Sequence, residues 1–230
     1  MAASTGERQV LRDHLSIGVQ RIMPGSLLDP TQFEQAQTAG IILTQLHQAL
    51  AAYPRATDFA SQTPLPTLAE NIQAWAATKA ATSPDLALVA GCKALMQSLQ
   101  SGELPELASQ VVHHDYRAAN ILWQGGKITA VLDFEELRWG YRVNDLAWAA
   151  VHLGTRFHHW GPVSEAVHAN FLAAYTSLHP LTAAEQGWLP VLMLWHSLNL
   201  ANSVAGGGAF NASVDAVVTY TRRLEEQNLA

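Results

Sequence analysis

The sequence predicts an α+β fold that is predominantly helical and contains one small β hairpin patch. Three observations lead to this prediction. Apolar residues recur at the helical period over most of the chain, short β-branched segments cluster between residues 110 and 132, and 49% of the 230 residues are hydrophobic. A globular chain of this length buries a sizeable core without requiring a disulfide or a structural metal.

Charge and cysteine content exclude several classes of protein. Thirteen Lys and Arg against nineteen Asp and Glu give a net charge of −6 with no basic tract, which disfavours a nucleic-acid groove. Cys92 is the single cysteine, so the sequence contains neither an internal disulfide nor a multi-cysteine metal site. Charged residues near the N-terminus argue against a secretory signal, and the apolar runs are too short to cross a bilayer. We expect a soluble protein of the reducing cytoplasm that binds neither nucleic acid nor membrane.

Before the patch, the sequence predicts one short strand and three helices. The strand, Ser16–Met23, ends at Pro24-Gly25. Helical periodicity and capping patterns predict the three helices, at residues 31–53, 67–80 and 83–100. The second begins with the capping box Thr67-Leu-Ala-Glu70, and the third places Ser83 at the cap and Pro84 at the first helical position.

After the patch, the same reasoning predicts four helices, at residues 143–153, 164–178, 182–202 and 213–227. The third of these begins with a second Thr-x-x-Glu box at Thr182 and contains Pro190, which we expect to kink it. Gly206-Gly207-Gly208 lacks the Lys-Ser/Thr that follows a phosphate-binding loop, so a flexible linker is the favoured interpretation.

The patch itself is predicted to contain three short strands, at residues 110–113, 121–123 and 128–132. Gly125-Gly126 suits the positive φ angles of a hairpin turn between the last two strands. A turn centred there places Asn120 opposite Val131, so that Asp133 lies within a residue or two of Asn120. Asp115 lies five residues before Asn120 on the preceding loop. Three oxygen-bearing side chains therefore converge at one end of the hairpin.

This convergence indicates metal-assisted chemistry on a hydroxyl group. A carboxylate and an amide oxygen, with room for water and phosphate, form an environment that octahedral Mg²⁺ accepts. A further carboxylate just outside that shell can orient a hydroxyl group and take its proton. Asp and Asn are common turn residues, so any one of them alone would favour a structural role. Their joint occurrence with a hairpin and with Asp145 at a helix start favours the functional interpretation.

Three motifs in this region occur together: His113-His114-Asp115 followed by Asn120, Leu132-Asp133-Phe134, and Gly140 followed by Asp145-Leu-Ala. Together they resemble the catalytic core of the aminoglycoside phosphotransferase/choline kinase-like family, which is distantly related to protein kinases. The resemblance implies a protein-kinase-like C-terminal lobe in which the hairpin patch carries the catalytic and metal residues. His114 replaces the usual glycine of the family pattern, and we expect it to stiffen or crowd the loop.

The resemblance also implies a role for each residue of the motifs. Asp115 would be the catalytic base, and Asn120 and Asp133 would be Mg²⁺ ligands. His113 and Asp145 would be structural braces of the catalytic loop. The implied cofactors are ATP and Mg²⁺, and the implied reaction transfers the γ-phosphate to a hydroxyl group of a small-molecule acceptor.

A nucleotide-binding segment is implied further upstream, where residues 19–25 resemble the hinge strand that binds adenine in this family. Arg21 and Met23 would contact the nucleotide there, and Leu122 and Leu132 would form an apolar floor beneath the base. On this basis we expect residues 1–25 to be a residual N-terminal lobe and hinge. Residues 26–230 would form the C-terminal lobe, with the catalytic loop and the acceptor site.

The family's phosphate-covering loop and nucleotide lysine find no counterpart ahead of this hinge. The three lysines all follow it, at Lys79, Lys93 and Lys127. Since those groups position and neutralise the phosphates, we expect this chain to bind ATP weakly and to be weak or inactive in turnover. An uncovered cleft would expose apolar surface and favour self-association or a partner. Three interpretations stay open: an impaired phosphotransferase, a non-catalytic binding protein of the pseudokinase kind, and a metal-dependent phosphoesterase.

Other residues attract functional interpretations that the sequence does not favour. The adjacent pairs His113-His114 and His158-His159 form no zinc-binding pattern, and Cys92 is expected to be buried in a helix. Glu135 and Glu136 suit a cationic acceptor and a solvated loop equally well. Five tryptophans flank the region where the family binds its acceptor, but helix packing is favoured for them: Trp139, Trp148, Trp160, Trp188 and Trp195.

Overall fold

The computed structural model describes residues 9–12, 15–18, 22–60, 68–100, 107–156, 163–203 and 207–228. In these residues the fold is predominantly helical, with small antiparallel sheets. The predicted α+β class is therefore confirmed. No helix of this part of the chain combines the length and the apolar composition that a membrane span requires.

The described helices are α1 Phe33–Ala51, α2 Ala56–Ala60, α3 Leu68–Thr82, α4 Leu86–Gln100, α5 Arg142–His152, α6 Glu165–Leu178, α7 Ala183–Ser203 and α8 Gly207–Asn228. The strands are β1 Gln9–Arg12, β2 Leu15–Gly18, β3 Ser26–Leu27, β4 Ser109–Val112, β5 Ile121–Gln124, β6 Lys127–Val131 and β7 Arg138–Tyr141. Single 3₁₀ turns cover Ala118–Asn120 and Phe134–Glu136. The predicted helices and the three patch strands fall within a few residues of the predicted bounds, except that α8 begins six residues earlier than predicted. Helix α2 was not predicted from the sequence.

Three antiparallel sheets are formed by the described strands: β1 with β2, β3 with β5 and β6, and β4 with β7. Of the predicted strand Ser16–Met23, the structure describes β2 and leaves residues 19–21 outside the described part. Strands β1, β3 and β7 were not predicted from the sequence. β3 is only two residues long and exists because it pairs with β5, a contact that local sequence cannot reveal.

The β5–β6 hairpin turns at Gly125 and Gly126, which both have positive φ, but its register differs from the prediction. A β-bulge between Leu122 and Trp123 places Ile121, not Asn120, opposite Val131. The prediction was wrong by one residue because the bulge adds a residue to one strand of the ladder. As a result, the Leu132 amide donates to the Asn120 carbonyl oxygen at 2.8 Å. Asp133 therefore follows directly after the residue that faces Asn120.

Two helix starts also differ from the prediction. Helix α4 begins at Leu86, and the Asp85 carboxylate, rather than Ser83, accepts hydrogen bonds from the amides of Ala87 and Leu88. Pro84 consequently lies outside the helix. Helix α8 begins at Gly207, so Gly207 and Gly208 are helical rather than a linker, while Gly206 lies outside the described residues. Packing of α8 against α4 and α7 overrides the low helix propensity of glycine.

The predicted capping box at the start of α7 is confirmed. The Thr182 amide donates to Glu185 Oε2 at 2.9 Å, and the Glu185 amide donates to Thr182 Oγ1 at 3.2 Å. This reciprocal pair gives a hydrogen-bond acceptor to two backbone amides at the start of the helix. The other predicted box begins at Thr67, which lies outside the described residues.

The hydrophobic core lies between the helices, with α5 near its centre in contact with α6, α7, β4 and β7. Helices α1 and α6 approach so closely that a Cβ at Gly40 would lie 2.3 Å from the Phe171 carbonyl oxygen. Glycine is therefore required at this crossing. The N-terminal end of α5 meets the loop that follows β4, and this junction positions the candidate site.

Candidate active site

The loop after β4 carries Asp115 and is closed by Asn120. The Asn120 side-chain amide donates to the Asp115 carbonyl oxygen at 2.9 Å and to Asp115 Oδ2 at 2.6 Å. The other carboxylate oxygen, Oδ1, lies 2.9 Å from Arg117 Nε. The Asp115 side chain is only 14% exposed. Both carboxylate oxygens are thus held in place by polar neighbours.

Burial raises the pKa of the Asp115 carboxyl above its ordinary value, and the negative charge of Asp133 acts in the same direction. Arg117 and the Asn120 amide oppose this shift but do not cancel it. A carboxylate with a raised pKa is a stronger base than an ordinary aspartate. The pair Asp115 and Asp133 therefore couples electrostatically at the end of the hairpin.

Asp133 follows β6 in the left-handed backbone region, with φ 61° and ψ 68°. Aspartate tolerates this conformation better than most residues, although it costs energy in any L-residue. The turn leaves the Asp133 side chain exposed and places the Phe134 ring edge-on to His113, with ring centres 4.8 Å apart. Because the Asn120 nitrogen faces Asp115, the Asn120 amide oxygen is directed away from it.

His113 connects the loop to the end of β6. Its Nδ1 accepts a hydrogen bond from the Asp115 amide at 3.2 Å, so the ring proton lies on Nε2, which donates to the Leu132 carbonyl oxygen at 3.1 Å. The ring is fully buried, and burial lowers its pKa. His113 is therefore a neutral imidazole that holds Asp115 and the strand before Asp133 in one unit.

Asp145, at the start of α5, is fully buried beneath the same loop. Its two oxygens accept backbone hydrogen bonds, Oδ2 from the His113 amide at 3.2 Å and Oδ1 from the His114 amide at 2.8 Å. Oδ2 also lies 2.9 Å from His47 Nε2. Burial acts to raise the Asp145 pKa, but the hydrogen bond and the charge of His47 hold it below its ordinary value.

The sequence did not point to the residues that support Asp145 from behind. His47 Nδ1 lies 2.7 Å from the Tyr175 hydroxyl oxygen, and the Arg142 guanidinium lies 5.9 Å from the centre of the Tyr175 ring. Arg142 in turn forms a buried ion pair with Glu185. One sequence signal was available, since His47 lies four residues after Leu43 and three before Leu50 on the apolar face of α1.

His114 has φ 63°, a backbone conformation that glycine adopts freely and other residues rarely adopt. This angle explains why glycine would suit the position, whereas the expected stiffening by histidine stays a prediction. The bond from its amide to Asp145 holds the backbone there. Its ring lies 5.9 Å from the Trp148 ring, and burial together with the charge of Arg138 lowers its pKa.

On the opposite side of the hairpin, the segment that leads into β3 crosses the strands near Leu122. Thr129 Oγ1 donates to the Pro24 carbonyl oxygen at 2.6 Å, and Leu27 pairs with Leu122. Gly25 has φ 140°, and a Cβ there would lie 3.1 Å from Leu122 Cβ, so glycine is required.

The remaining predicted nucleotide contacts differ in how far the structure describes them. Leu122 and Leu132 are half-buried, and Met23 is 38% exposed beside the Pro24-Gly25 turn. Arg21 lies outside the described residues. Leu122 thus lies beside Gly25, whereas the placement of Arg21 stays a prediction.

A cavity of about 600 Å³ opens beside the His114 side of the loop. We call it the tryptophan cavity; the described residues that line it are Leu68, Asn71, Val112, His114, Arg138, Trp139, Gly140, Tyr141, Asn144, Trp148, His152, Trp195, His196, Asn199 and Ser203. Helix packing, the interpretation favoured from sequence, holds for the buried Trp188. Trp139, Trp148 and Trp195 instead form part of the cavity wall, and Trp160 lies outside the described residues.

Other predicted residues have simple environments. Cys92 is buried, and burial raises the pKa of its thiol to about 11, which fits a structural role. Glu135 and Glu136 are exposed, and Glu136 pairs with Arg138 at 3.1 Å. His158 and His159 lie outside the described residues. Within the described ranges, no cluster of three or more His, Cys, Asp or Glu side chains is arranged to hold a metal ion.

The donor set at the hairpin end is nevertheless compatible with a hard cation. Mg²⁺ in phosphate-transfer sites is held by one or two protein oxygens and completes its shell with water and phosphate oxygens. Asn120 supplies an amide oxygen directed away from Asp115, and Asp133 supplies an exposed carboxylate at the same end of the hairpin. These two residues therefore fit such an ion without a third protein ligand.

Comparison with solved structures identifies similar folds. An aminoglycoside phosphotransferase from Alicyclobacillus acidocaldarius superposes with a TM-score of 0.64 at 12% identity, covering 98% of this chain and 76% of that chain. The GDP complex of wild-type aminoglycoside 2'-phosphotransferase-IIIa gives a TM-score of 0.58 at 13% identity, with 99% and 73% covered. Macrolide 2'-phosphotransferase MphH from Brachybacterium faecium gives 0.52 at 17% identity, with 88% and 68% covered. At these identities the similarity shows the fold alone.

Comparison at the sequence level gives the family. No curated protein matches the chain significantly. The family model of the APH phosphotransferases, described as the phosphotransferase enzyme family, matches residues 8–188. This range is well over half of the chain and includes Asp115, Asn120, Asp133 and Asp145. The chain therefore belongs to the APH phosphotransferase enzyme family.

Proposed function

We propose that this protein transfers the γ-phosphate of MgATP to a hydroxyl group of a small-molecule acceptor. Membership of the family supports a small-molecule phosphotransferase. The observation that carries the finer proposal is the contact between Asn120 and Asp115, which are joined at 2.6 Å at the hairpin end that also presents Asp133. The proposed base Asp115 and the proposed metal ligand Asn120 are thereby joined by a hydrogen bond.

Asp115 is proposed as the catalytic base. Its raised pKa suits it to orient the acceptor hydroxyl group and to take the proton as the new O–P bond forms. Arg117, beside Asp115 Oδ1, was not singled out from the sequence, although it lies within the loop motif. Its guanidinium group is positioned to offset negative charge that develops on the transferred phosphoryl group.

Asn120 and Asp133 are proposed to hold Mg²⁺ through an amide oxygen and a carboxylate oxygen. When bound, the ion would neutralise phosphate charge at the site. Asn120 has a second task, because its amide nitrogen orients Asp115. His113 and Asp145 are proposed to keep both groups in register by bonding to the loop backbone and to the Leu132 carbonyl.

For the nucleotide, we propose that Arg21 and Met23 line the hinge and that Leu122 and Leu132 support the base. Residues 1–25 would then be the hinge side of the site and residues 26–230 the catalytic lobe. Related folds have been solved with GDP and with AMP-PNP, so ATP and GTP must be compared directly. We further propose that this 230-residue chain transfers phosphate slowly. Its three lysines all follow the proposed hinge, whereas the lysine that neutralises the nucleotide phosphates in such enzymes precedes it.

A non-catalytic binding role on the same scaffold is the second candidate. Apolar side chains are exposed in the proposed hinge, Ile22 at 92% and its neighbour Met23 at 38%, and Phe134 beside Asp133 is 42% exposed. Exposed apolar groups in one region favour self-association or a partner at that surface. Under this candidate the chain binds a ligand or partner there but transfers no phosphate.

Calorimetric titration with MgATP and MgGTP, followed by a phosphate-transfer assay on a panel of alcohols, tests the proposal. We expect nucleotide binding that weakens in Asp133→Asn and does not change in Asp215→Asn, an exposed aspartate on α8 that serves as the matched control. Nucleotide-dependent transfer to any alcohol supports the first candidate. Release of phosphate from a phosphate ester in the absence of nucleotide would instead indicate a phosphoesterase. Nucleotide binding without transfer to any alcohol would indicate the second candidate.

A further inference from the structure

The tryptophan cavity is lined almost entirely by side chains without a formal charge. Among the described residues that line it, Arg138 is the single one with a formal charge, and none is Asp or Glu. Arg138 forms an exposed ion pair with Glu136, which is not part of the wall. The charge of Arg138 lowers the pKa of His114 in the wall more than that of Glu136 raises it, so the pair acts on the cavity as a positive charge.

The three histidines of the wall are neutral at physiological pH. Burial lowers the pKa of His152 to about 4 and that of His196 well below its ordinary value. Burial, together with the charge of Arg138, also lowers the pKa of His114. The cavity therefore disfavours positive charge on its histidines, and the same desolvation acts on an ammonium group of a ligand.

The wall also offers flat apolar faces. Trp148 and His152 stack with ring centres 4.3 Å apart and planes 11° apart. The rings of the neighbouring residues Trp195 and His196 have their centres 4.7 Å apart. Trp139 adds a further indole. Neutral polar groups of the wall can bind hydroxyl groups. The Asn71 amide is one of them, and the side-chain oxygens of Asn199 and Ser203 can accept hydrogen bonds, although the Asn199 nitrogen and the Ser203 hydroxyl already donate to backbone carbonyls. A volume of about 600 Å³ matches a ring compound of ordinary ligand size.

From this pattern we propose that the acceptor is an uncharged hydroxyl compound with a flat or apolar ring, and that polycationic acceptors are excluded. The inference rests on the proposed phosphotransfer at Asp115, because His114 joins the cavity to that residue. Indole faces also attract cations. Here the guanidinium of Arg138 and the lack of carboxylates among the described wall residues leave an ammonium group without compensation for its lost hydration.

Two probes of opposite character test the proposal on the full chain without nucleotide: phenyl β-glucoside, a neutral aryl sugar, and kanamycin, a polycation. Titration calorimetry at low salt is expected to show phenyl β-glucoside binding about tenfold or more tightly than kanamycin, which corresponds to about 1.4 kcal/mol. Arg138→Glu and Asn71→Asp each add negative charge to the wall and should strengthen kanamycin binding. Arg222→Glu on α8, which lies outside the cavity wall, should leave both affinities unchanged.

Equal or tighter binding of kanamycin by the unmodified chain would overturn the proposal. So would an Asn71→Asp variant that folds normally and gains no affinity for kanamycin. The phosphotransfer assay separates this result from the proposed function. Transfer to kanamycin with tight binding would overturn the acceptor class and leave the function standing. Selective binding of the glucoside without transfer to any alcohol would overturn the function and leave the ligand preference of the cavity standing.

Discussion

His47 of α1 and Asp145 of α5 are joined by a buried contact of 2.9 Å between Nε2 and Oδ2, although they lie 98 residues apart in the sequence. Both side chains are fully excluded from solvent. The same Asp145 carboxylate accepts the amides of His113 and His114. The Asp145 side chain thereby ties the backbone of the candidate catalytic loop to the helical core.

The first prediction is that Asp145→Ala destabilises the protein by about 1–3 kcal/mol, because the change leaves two loop amides and the His47 ring without their buried partner. Chemical denaturation measures this directly. Asp215→Ala on the exposed face of α8 is the control and should change the free energy of unfolding by less than about 0.5 kcal/mol. An unchanged denaturation midpoint in Asp145→Ala would contradict the bracing role.

The second prediction concerns the pH dependence of stability. The pKa of Asp145 is lowered in the folded protein, so its contribution is fully present above the unfolded value of about 3.9 and is lost as pH falls through the lower folded value. We therefore expect the difference in unfolding free energy between the unmodified protein and Asp145→Asn to be constant above about pH 5 and to shrink below about pH 4. If this free-energy difference shrank as pH rose, the pKa of Asp145 would be raised rather than lowered in the folded protein, and the prediction would be wrong.

The third prediction is that Asp115→Asn reduces the rate of phosphate transfer by about 10²–10⁴-fold, the usual contribution of a general base. The amide retains the shape of the carboxylate but cannot take the proton. Nucleotide affinity should change little, because Asn120 and Asp133 remain. Single-turnover rates and calorimetric titration together distinguish these effects. Loss of nucleotide binding in parallel with the rate would assign Asp115 a binding role instead.

The fourth prediction uses the backbone strain at His114. At φ 63° an L-residue costs about 1–2 kcal/mol relative to glycine, so His114→Gly should be more stable than His114→Ala by about 1 kcal/mol. Both variants lose the ring contact with Trp148, which makes them a matched pair. Urea denaturation of the two variants provides the measurement. Equal stabilities, or a more stable alanine variant, would show that the loop relaxes to negative φ.

Local sequence was sufficient where the relevant contacts span only a few residues. The capping box of Thr182 and Glu185 follows from a four-residue pattern, and the hairpin turn follows from the positive φ that Gly125-Gly126 permits. The motif around Asp115 and Asn120 is equally local, and the structure joins the two by a direct hydrogen bond. Family membership could be anticipated from the same motifs because their spacing is specific.

Only the tertiary structure decided the features that depend on contacts between distant segments. The bulge beside Leu122 shifts the register by one residue, the helix α8 begins at Gly207 despite its glycines, and His47 reaches Asp145. The tryptophan cavity is another such feature, since it is formed by side chains of α3, α5, α7 and β7. The physical reason is common to all of them. Burial and hydrogen bonding between segments far apart in sequence outweigh local propensities of a few tenths of a kcal/mol to about 1 kcal/mol per residue.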